Sequence, residues 1–303
     1  LATAGISVWV FKGCGVAHLP EVYPEPEYRR LGDLDLLVRP QDMPAVLRAA
    51  ESAGFHFPHS DPEVRNFFLK ESYETATVHP QHGLVEWHHA LYRMPDAWTD
   101  RARNRAVPCT VFGRPLRILS PPDLFLALAI HLVGSLGKML WAWLWDLRGL
   151  ARRMRREDWE SLVNDALEHR EQLSVCLALH ALRDLWHVLP TAAAAPLASM
   201  ESRLSMLERR ALGVAAARGY AGTALSEPLA VARRLSGGRS RGNRSWLRGL
   251  WGHPGEVCMD LGVRSDGRFF WLHRCRHSVR LAGLALGYGQ ARASRHRSRG
   301  RTP

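Results

Sequence analysis

Two carboxylates interrupt an otherwise apolar run in Leu31-Gly32-Asp33-Leu34-Asp35-Leu36-Leu37-Val38, and this run constrains the fold more than any other stretch of the chain. It reads as a buried strand. Side chains alternate along a strand, so Asp33 and Asp35 share one face, roughly 6.5–7 Å apart along the backbone, while Leu34 and Leu36 face the other way. Two like charges this close are costly in a half-buried setting unless a cation lies between them. A hard divalent ion meets that need, Mg²⁺ first and Mn²⁺ as the alternative, because it prefers carboxylate oxygen and bridges to substrate phosphates.

The surrounding pattern is that of a small sheet with helices. Ile6 to Phe11 reads as a first strand ending at the turn Lys12-Gly13-Cys14-Gly15, with a short helix towards Pro20. Gln41 to Ala53 carries Met43, Val46, Leu47 and Ala50 at helical spacing and stops at Gly54. Thr75–Val78 and Leu84–Trp87, joined by His79-Pro80-Gln81-His82-Gly83, read as a hairpin, and Val111 with Arg114-Pro115-Leu116 suggests one more strand pair. From Pro121 the apolar period switches from two to near 3.6, predicting helices over 123–133, 140–153, 159–169, 173–188 and 204–218. The expected fold class is therefore α+β: a small mixed-sheet domain (residues 1–118), an all-helical domain (119–235) and a basic, partly disordered linker and tail (236–303).

Several side chains are placed to serve the acid pair. Glu86 lies on a neighbouring strand between Val85 and Trp87, so if those two enter the core Glu86 points to the open side, with His88 two residues on along the same face. Lys12 is one of three lysines, with Lys70 and Lys138, beside 38 arginines; an ammonium and the backbone N–H groups of Gly13 at a helix start can cradle phosphate. Arg29 and Arg30 stand four and three residues ahead of Asp33, and one of the two is expected to contact phosphate or orient the acids. His79, His82, His88 and His89 crowd one hairpin and, with the Asp pair, open a rival reading as a zinc or manganese hydrolase, although their spacing fits no specific zinc pattern.

The Lys12-Gly13 turn, the arginines and Gly32-Asp33-Leu34-Asp35-Leu36-Leu37-Val38 together resemble a large, mostly uncharacterised bacterial nucleotidyltransferase family of the polymerase-beta-like superfamily. Val85-Glu86-Trp87-His88 resembles the third acidic position of that family. Leu119-Ser120-Pro121-Pro122-Asp123 with His131, Leu144-Trp145-Asp146-Leu147 and Glu157-Asp158-Trp159 resemble its helical markers, so that the likeness runs over about residues 5 to 190. Classical superfamily members have Gly-Ser at the turn, from which Lys12-Gly13 departs while agreeing with this subfamily. The resemblance implies an Mg-dependent enzyme that moves a nucleoside monophosphate from an NTP, ATP among them, to an unknown small or large acceptor. Asp33, Asp35 and Glu86 would be its catalytic residues and metal ligands, with Glu86 helping to deprotonate the acceptor; Lys12, Gly13, Arg29, Arg30 and His88 would hold the nucleotide.

Charge is unevenly distributed. Residues 1–230 hold 25 Lys+Arg against 26 Asp+Glu, whereas 231–303 hold 16 against 3, so the net charge of +12 belongs to the tail. Only that tail is a candidate polyanion surface, which sustains a second reading: an inactive nucleotidyltransferase-fold binding protein docking through its basic end. Five scattered cysteines without a Cys-x-x-Cys pair argue against a disulfide framework or zinc ribbon and for a cytoplasmic home. The apolar window 124–147 is broken by His131, Lys138 and glycines, which favours a buried helical hairpin over a transmembrane segment. The chain opens at Leu1 without an initiator methionine and without a charged leader, and so reads as truncated at its start.

Overall fold

A computed structural model describes residues 1, 5–70, 72–92, 94, 96–111, 113–134, 141–217, 219–220, 258, 267, 270–273 and 275. The linker at 236 and the tail from 290 lie outside the described residues; of the apolar segment from 269 to 286, residues 270–273 are helical.

Six strands form one mixed sheet in the order β3-β4-β2-β1-β6-β5. They are β1 (Trp9–Val10), β2 (Asp33–Leu37), β3 (Glu74–His79), β4 (Gly83–His88), β5 (Val107–Val111) and β6 (Arg114–Ile118). The first strand is shorter than the apolar run predicts, because Phe11 already stands as the N-cap of helix α1 (Lys12–Ala17) and Lys12 turns into the left-handed region at φ 49°. At the centre β2 pairs in parallel with β4, which puts Asp35 directly opposite Glu86 and Leu37 opposite His88. The β3–β4 hairpin is antiparallel and sets Glu74 opposite His88.

The strands alternate as their sequence demands. Val85 and Trp87 are buried, and the Trp87 indole N–H donates to Thr77 Oγ1 at 2.9 Å on the face away from Glu86. Arg103, on helix α4 (Asp96–Arg105), ties the ends of β2 and β4 together by donating to the carbonyls of Val38 and His89, each at 2.7 Å. Helices α2 (Met43–Ser52) and α3 (Pro62–Lys70) fill the crossover from β2 to the hairpin. Two of these helices, α3 and α4, are absent from the sequence-based expectation. The reason is compositional: each buries only a few residues, Val64 and Phe67 in α3 and Trp98, Thr99, Ala102 and Arg103 in α4.

The helical half follows: α5 (Pro121–Gly134), α6 (Trp141–Arg153), α7 (Arg156–Glu168), α8 (Gln172–Trp186), α9 (Thr191–Ser202) and α10 (Met206–Ala217). Its centre is α5, buried from Leu124 to Ile130 and packed on α6, α7 and α8. Helix α9 escaped the reading because its alanine run carries no 3.6 period and Pro196 lies inside it. One buried core runs from Trp9, Val10 and Phe11 through Ile118 and Leu119 into α5 and α8. No described helix is long and apolar enough to cross a membrane.

Candidate active site

The acids, a lysine and a histidine meet where β2 and β4 run side by side. Their pairing brings the carboxylates of Asp35 and Glu86 onto a single cation, the ammonium of Lys12, whose Nζ is 2.7 Å from Asp35 Oδ1 and 3.4 Å from Glu86 Oε2. The strand-to-helix turn delivers that ammonium from the neighbouring side, and it is nearly sealed from water, Lys12 being 7% exposed and Asp35 3%. The rings of Phe11 and Tyr92 flank Nζ at 5.6 and 5.7 Å.

His88 bridges the acids from below. Its Nε2 lies 3.1 Å from Asp35 Oδ1 and 3.4 Å from Glu86 Oε2, and its Nδ1 lies 3.2 Å from Glu74 Oε2. Burial opposes a charge on His88, but the hydrogen bonds with Asp35 and Glu86 prevail and hold its pKa above the ordinary value. Burial would likewise raise Asp35; the hydrogen bond from His88 and the charge of Lys12 overcome it and hold that carboxyl below its ordinary range. Lys12 is raised well above a free lysine, its burial outweighed by Tyr92 and the acids. Asp33 lies one pleat outward on the same face and is exposed. Partial desolvation, then Asp35 and Glu86, push its carboxyl above the ordinary value.

The other expected residues fall in different places. Gly13 and Arg29 abut: a Cβ on Gly13 would stand 2.9 Å from Arg29 Nη2, so a side chain there would push on the guanidinium. Arg29 itself is committed to Asp146 of α6, with Nε at 3.0 and 3.1 Å from the two carboxylate oxygens and Nη2 at 2.9 Å from Oδ2, and Tyr23 donates to the same carboxylate at 2.7 Å. Arg30 is exposed, and its carbonyl accepts a hydrogen bond from Arg29 Nη1 at 2.5 Å. Of the four hairpin histidines only His88 reaches the acids. His79 and His82 stack on each other at 4.4 Å between centroids, and His89 is hydrogen-bonded through Nε2 to the carbonyl of Ser72 at 2.8 Å.

Two residues near the acids were not assigned to the site from sequence. Glu74 could have been, since the short loop of the β3–β4 hairpin sets the register that puts it opposite His88. His131 of α5 could not: it lies with its ring 6.3 Å from Tyr92 and 4.5 Å from Trp143 of α6, contacts made only by folding.

Among the described residues, Asp35, Glu86 and His88 present ligand atoms within 4.8 Å of one another. Two carboxylates already converging on one cationic group suit a hard divalent ion, with the imidazole nitrogen as a further donor. A second set, Asp165, Glu168 and His169, has its carboxylates answered by Arg101 at 3.2 and 3.0 Å and by Arg105 at 2.6 Å, so its charge is already balanced.

A mixed sheet whose adjacent parallel strands bring acids together beside a strand–turn–helix unit, followed by a helical half, is the α+β arrangement expected of a nucleotidyltransferase, and the family match bears that class out. The chain belongs to the family described as uncharacterised nucleotidyltransferase, whose model matches residues 1–187. Solved structures similar to it include the lincosamide antibiotic adenylyltransferase LnuA with lincomycin bound, at 15% identity over 49% of this chain and 88% of that one, TM-score 0.33. Others are the antibiotic-resistance factor ANT(2'')-Ia, at 14% identity over 56% and 90% with TM-score 0.39, and an antigenic nucleotidyltransferase-like protein from Paracoccidioides brasiliensis, at 13% over 58% and 86% with TM-score 0.32. No curated protein matches the chain at a significant level.

Proposed function

We propose that this nucleotidyltransferase moves a nucleoside monophosphate from an NTP to an acceptor hydroxyl or phosphate, with a divalent ion, Mg²⁺ by preference, held by Asp35, Glu86 and Asp33. The observation that carries the reading is the convergence of Asp35 and Glu86 on one cation at 2.7 and 3.4 Å. Bound there, the ion would neutralise the triphosphate and lower the pKa of the attacking group. Asp33, exposed on the same face, offers the outermost carboxylate.

The protein's own side chains divide the remaining tasks. Glu86, with a partly exposed side chain, accepts the acceptor proton as its oxygen attacks the α-phosphorus and pyrophosphate leaves. Lys12 and the Gly13 backbone contact the triphosphate. His88, fully enclosed and hydrogen-bonded to both acids, keeps their oxygens turned towards the open face. Arg29 contributes as a support under the Gly13 turn, and its pairing with Asp146 argues against direct phosphate contact. A reducing cytoplasm fits five scattered cysteines without a Cys-x-x-Cys pair.

Calorimetric titration of each NTP, with and without Mg²⁺, into the wild type and an Asp33→Asn/Asp35→Asn variant of unchanged circular dichroism tests the reading. Binding is expected only with both metal and acids. Equal binding by the double variant, or no binding of any NTP by the wild type, would overturn it.

A further inference from the structure

We propose that Lys12 makes metal entry conditional on the triphosphate: its ammonium occupies the point between Asp35 and Glu86 in the unliganded protein and leaves it only when phosphate oxygens replace the carboxylates as its partners. The inference rests on the assignment of Asp35 and Glu86 as metal ligands.

The geometry leaves little room for both cations. Nζ of Lys12 contacts one oxygen of each acid, at 2.7 and 3.4 Å, and His88 Nε2 faces the same two oxygens at 3.1 and 3.4 Å. An ion drawn to those oxygens would therefore sit within a few ångströms of the ammonium, in a pocket where burial leaves charges poorly screened. Free metal must displace Lys12 from Asp35 and Glu86, the two carboxylates it contacts, towards the flanking rings of Phe11 and Tyr92, which offer no negative charge. A triphosphate arriving with the metal supplies that anion.

The backbone beneath Lys12 is suited to such a move. Lys12 holds φ at 49°, a left-handed conformation costly for a residue with a Cβ, at the first position of a six-residue helix, and Gly13 follows it. The side chain is also apt: an ammonium on a flexible four-carbon stem can exchange one oxygen partner for another, whereas a guanidinium fork would bind the carboxylate in a fixed bidentate geometry. In a chain of 38 arginines and three lysines, this position carries a lysine.

Two measurements decide the matter. In the first, Mn²⁺ binding without nucleotide is followed by the loss of the free-ion paramagnetic resonance signal, in the wild type, Lys12→Met and Lys12→Met/Asp35→Asn. Lys12→Met should bind Mn²⁺ roughly tenfold or more tightly than wild type, because a like charge is gone, and should bind NTP more weakly; adding Asp35→Asn should abolish the gain. If Lys12→Met binds Mn²⁺ no better while Asp35→Asn still removes binding, Lys12 is no gate and the ligand assignment stands. If Asp35→Asn makes no difference, or no variant binds Mn²⁺, the ligand assignment fails with it.

The second measurement uses the wild type and does not depend on the variant folding. With ¹³Cε-labelled lysine the chain gives resonances from Lys12, Lys70 and Lys138 alone, and the Lys12 resonance is the one that survives both Lys70→Arg and Lys138→Arg. Mg²⁺ alone should leave the Lys12 resonance in place, and Mg²⁺ with α,β-methylene ATP should move it. A shift on Mg²⁺ alone, or none in either case, overturns the proposal.

Discussion

Replacing Asp146 by Asn should destabilise the chain more than any other single change of similar size on α6. The carboxylate is fully buried, Arg29 is 9% exposed, and the pair is held by three N–H···O contacts between 2.9 and 3.1 Å, with the Tyr23 hydroxyl at 2.7 Å as a fourth. Asparagine keeps the shape but turns one acceptor into an NH₂ that confronts a guanidinium or a hydroxyl. It leaves the guanidinium buried without an anion. Breaking one side of such a pair costs roughly 3–5 kcal/mol, equivalent to a fall in Tm of roughly 6–20 °C for a domain of about this size. Because most of that cost is the stranded charge, Arg29→Met combined with Asp146→Leu should lose far less than the two single changes summed, with a coupling of about 2 kcal/mol or more. Urea unfolding of the four proteins, followed by circular dichroism and tryptophan fluorescence, gives the cycle directly. Additivity within about 0.5 kcal/mol would refute the claim that this pair fastens the loop before β2 to the helical half.

Two further outcomes follow from the packing. Burial, reinforced by the Lys12 charge, lowers the His131 pKa to about 4, so below its unfolded value the unfolded chain takes up a proton that the native state refuses. Stability should therefore fall between about pH 6.5 and 4, by about 2 kcal/mol after discounting for the partly exposed ring; His131→Phe should remove that component, and parallel losses in both proteins at pH 5 would contradict the assignment. At Gly149 of α6 an added Cβ would stand 2.3 Å from Cγ1 of Val22, so Gly149→Ala should cost about 1–3 kcal/mol and Val22→Ala should recover part of it. An unchanged melting temperature in Gly149→Ala would mean that α6 is not pressed onto the turn before β2.

Much of the site was legible before folding because strand alternation is a local rule. A period of two put Asp33 and Asp35 on one face of their strand, turned Glu86 and His88 to the same open side, and left Val85 and Trp87 for the core, and the sheet realises that alternation. The period of 3.6 likewise announced α5 to α8 and α10, whereas α9, an alanine run containing Pro196, offered no such stripe.

Local patterning could not say which cation answers which acid. Lys12 looked like a free phosphate hook beside a glycine; the packing of α1 against β2, which lies beside β4, buries it on carboxylates 23 and 74 residues away. Arg29 stood four residues before Asp33, yet its partner is Asp146, 117 positions along the chain. The amino-acid sequence by itself determined the faces and periods, since those depend only on neighbouring dihedral angles. Charge pairing was decided by the tertiary structure, because a buried ion takes whichever counter-ion the packing of distant elements brings within about 3 Å.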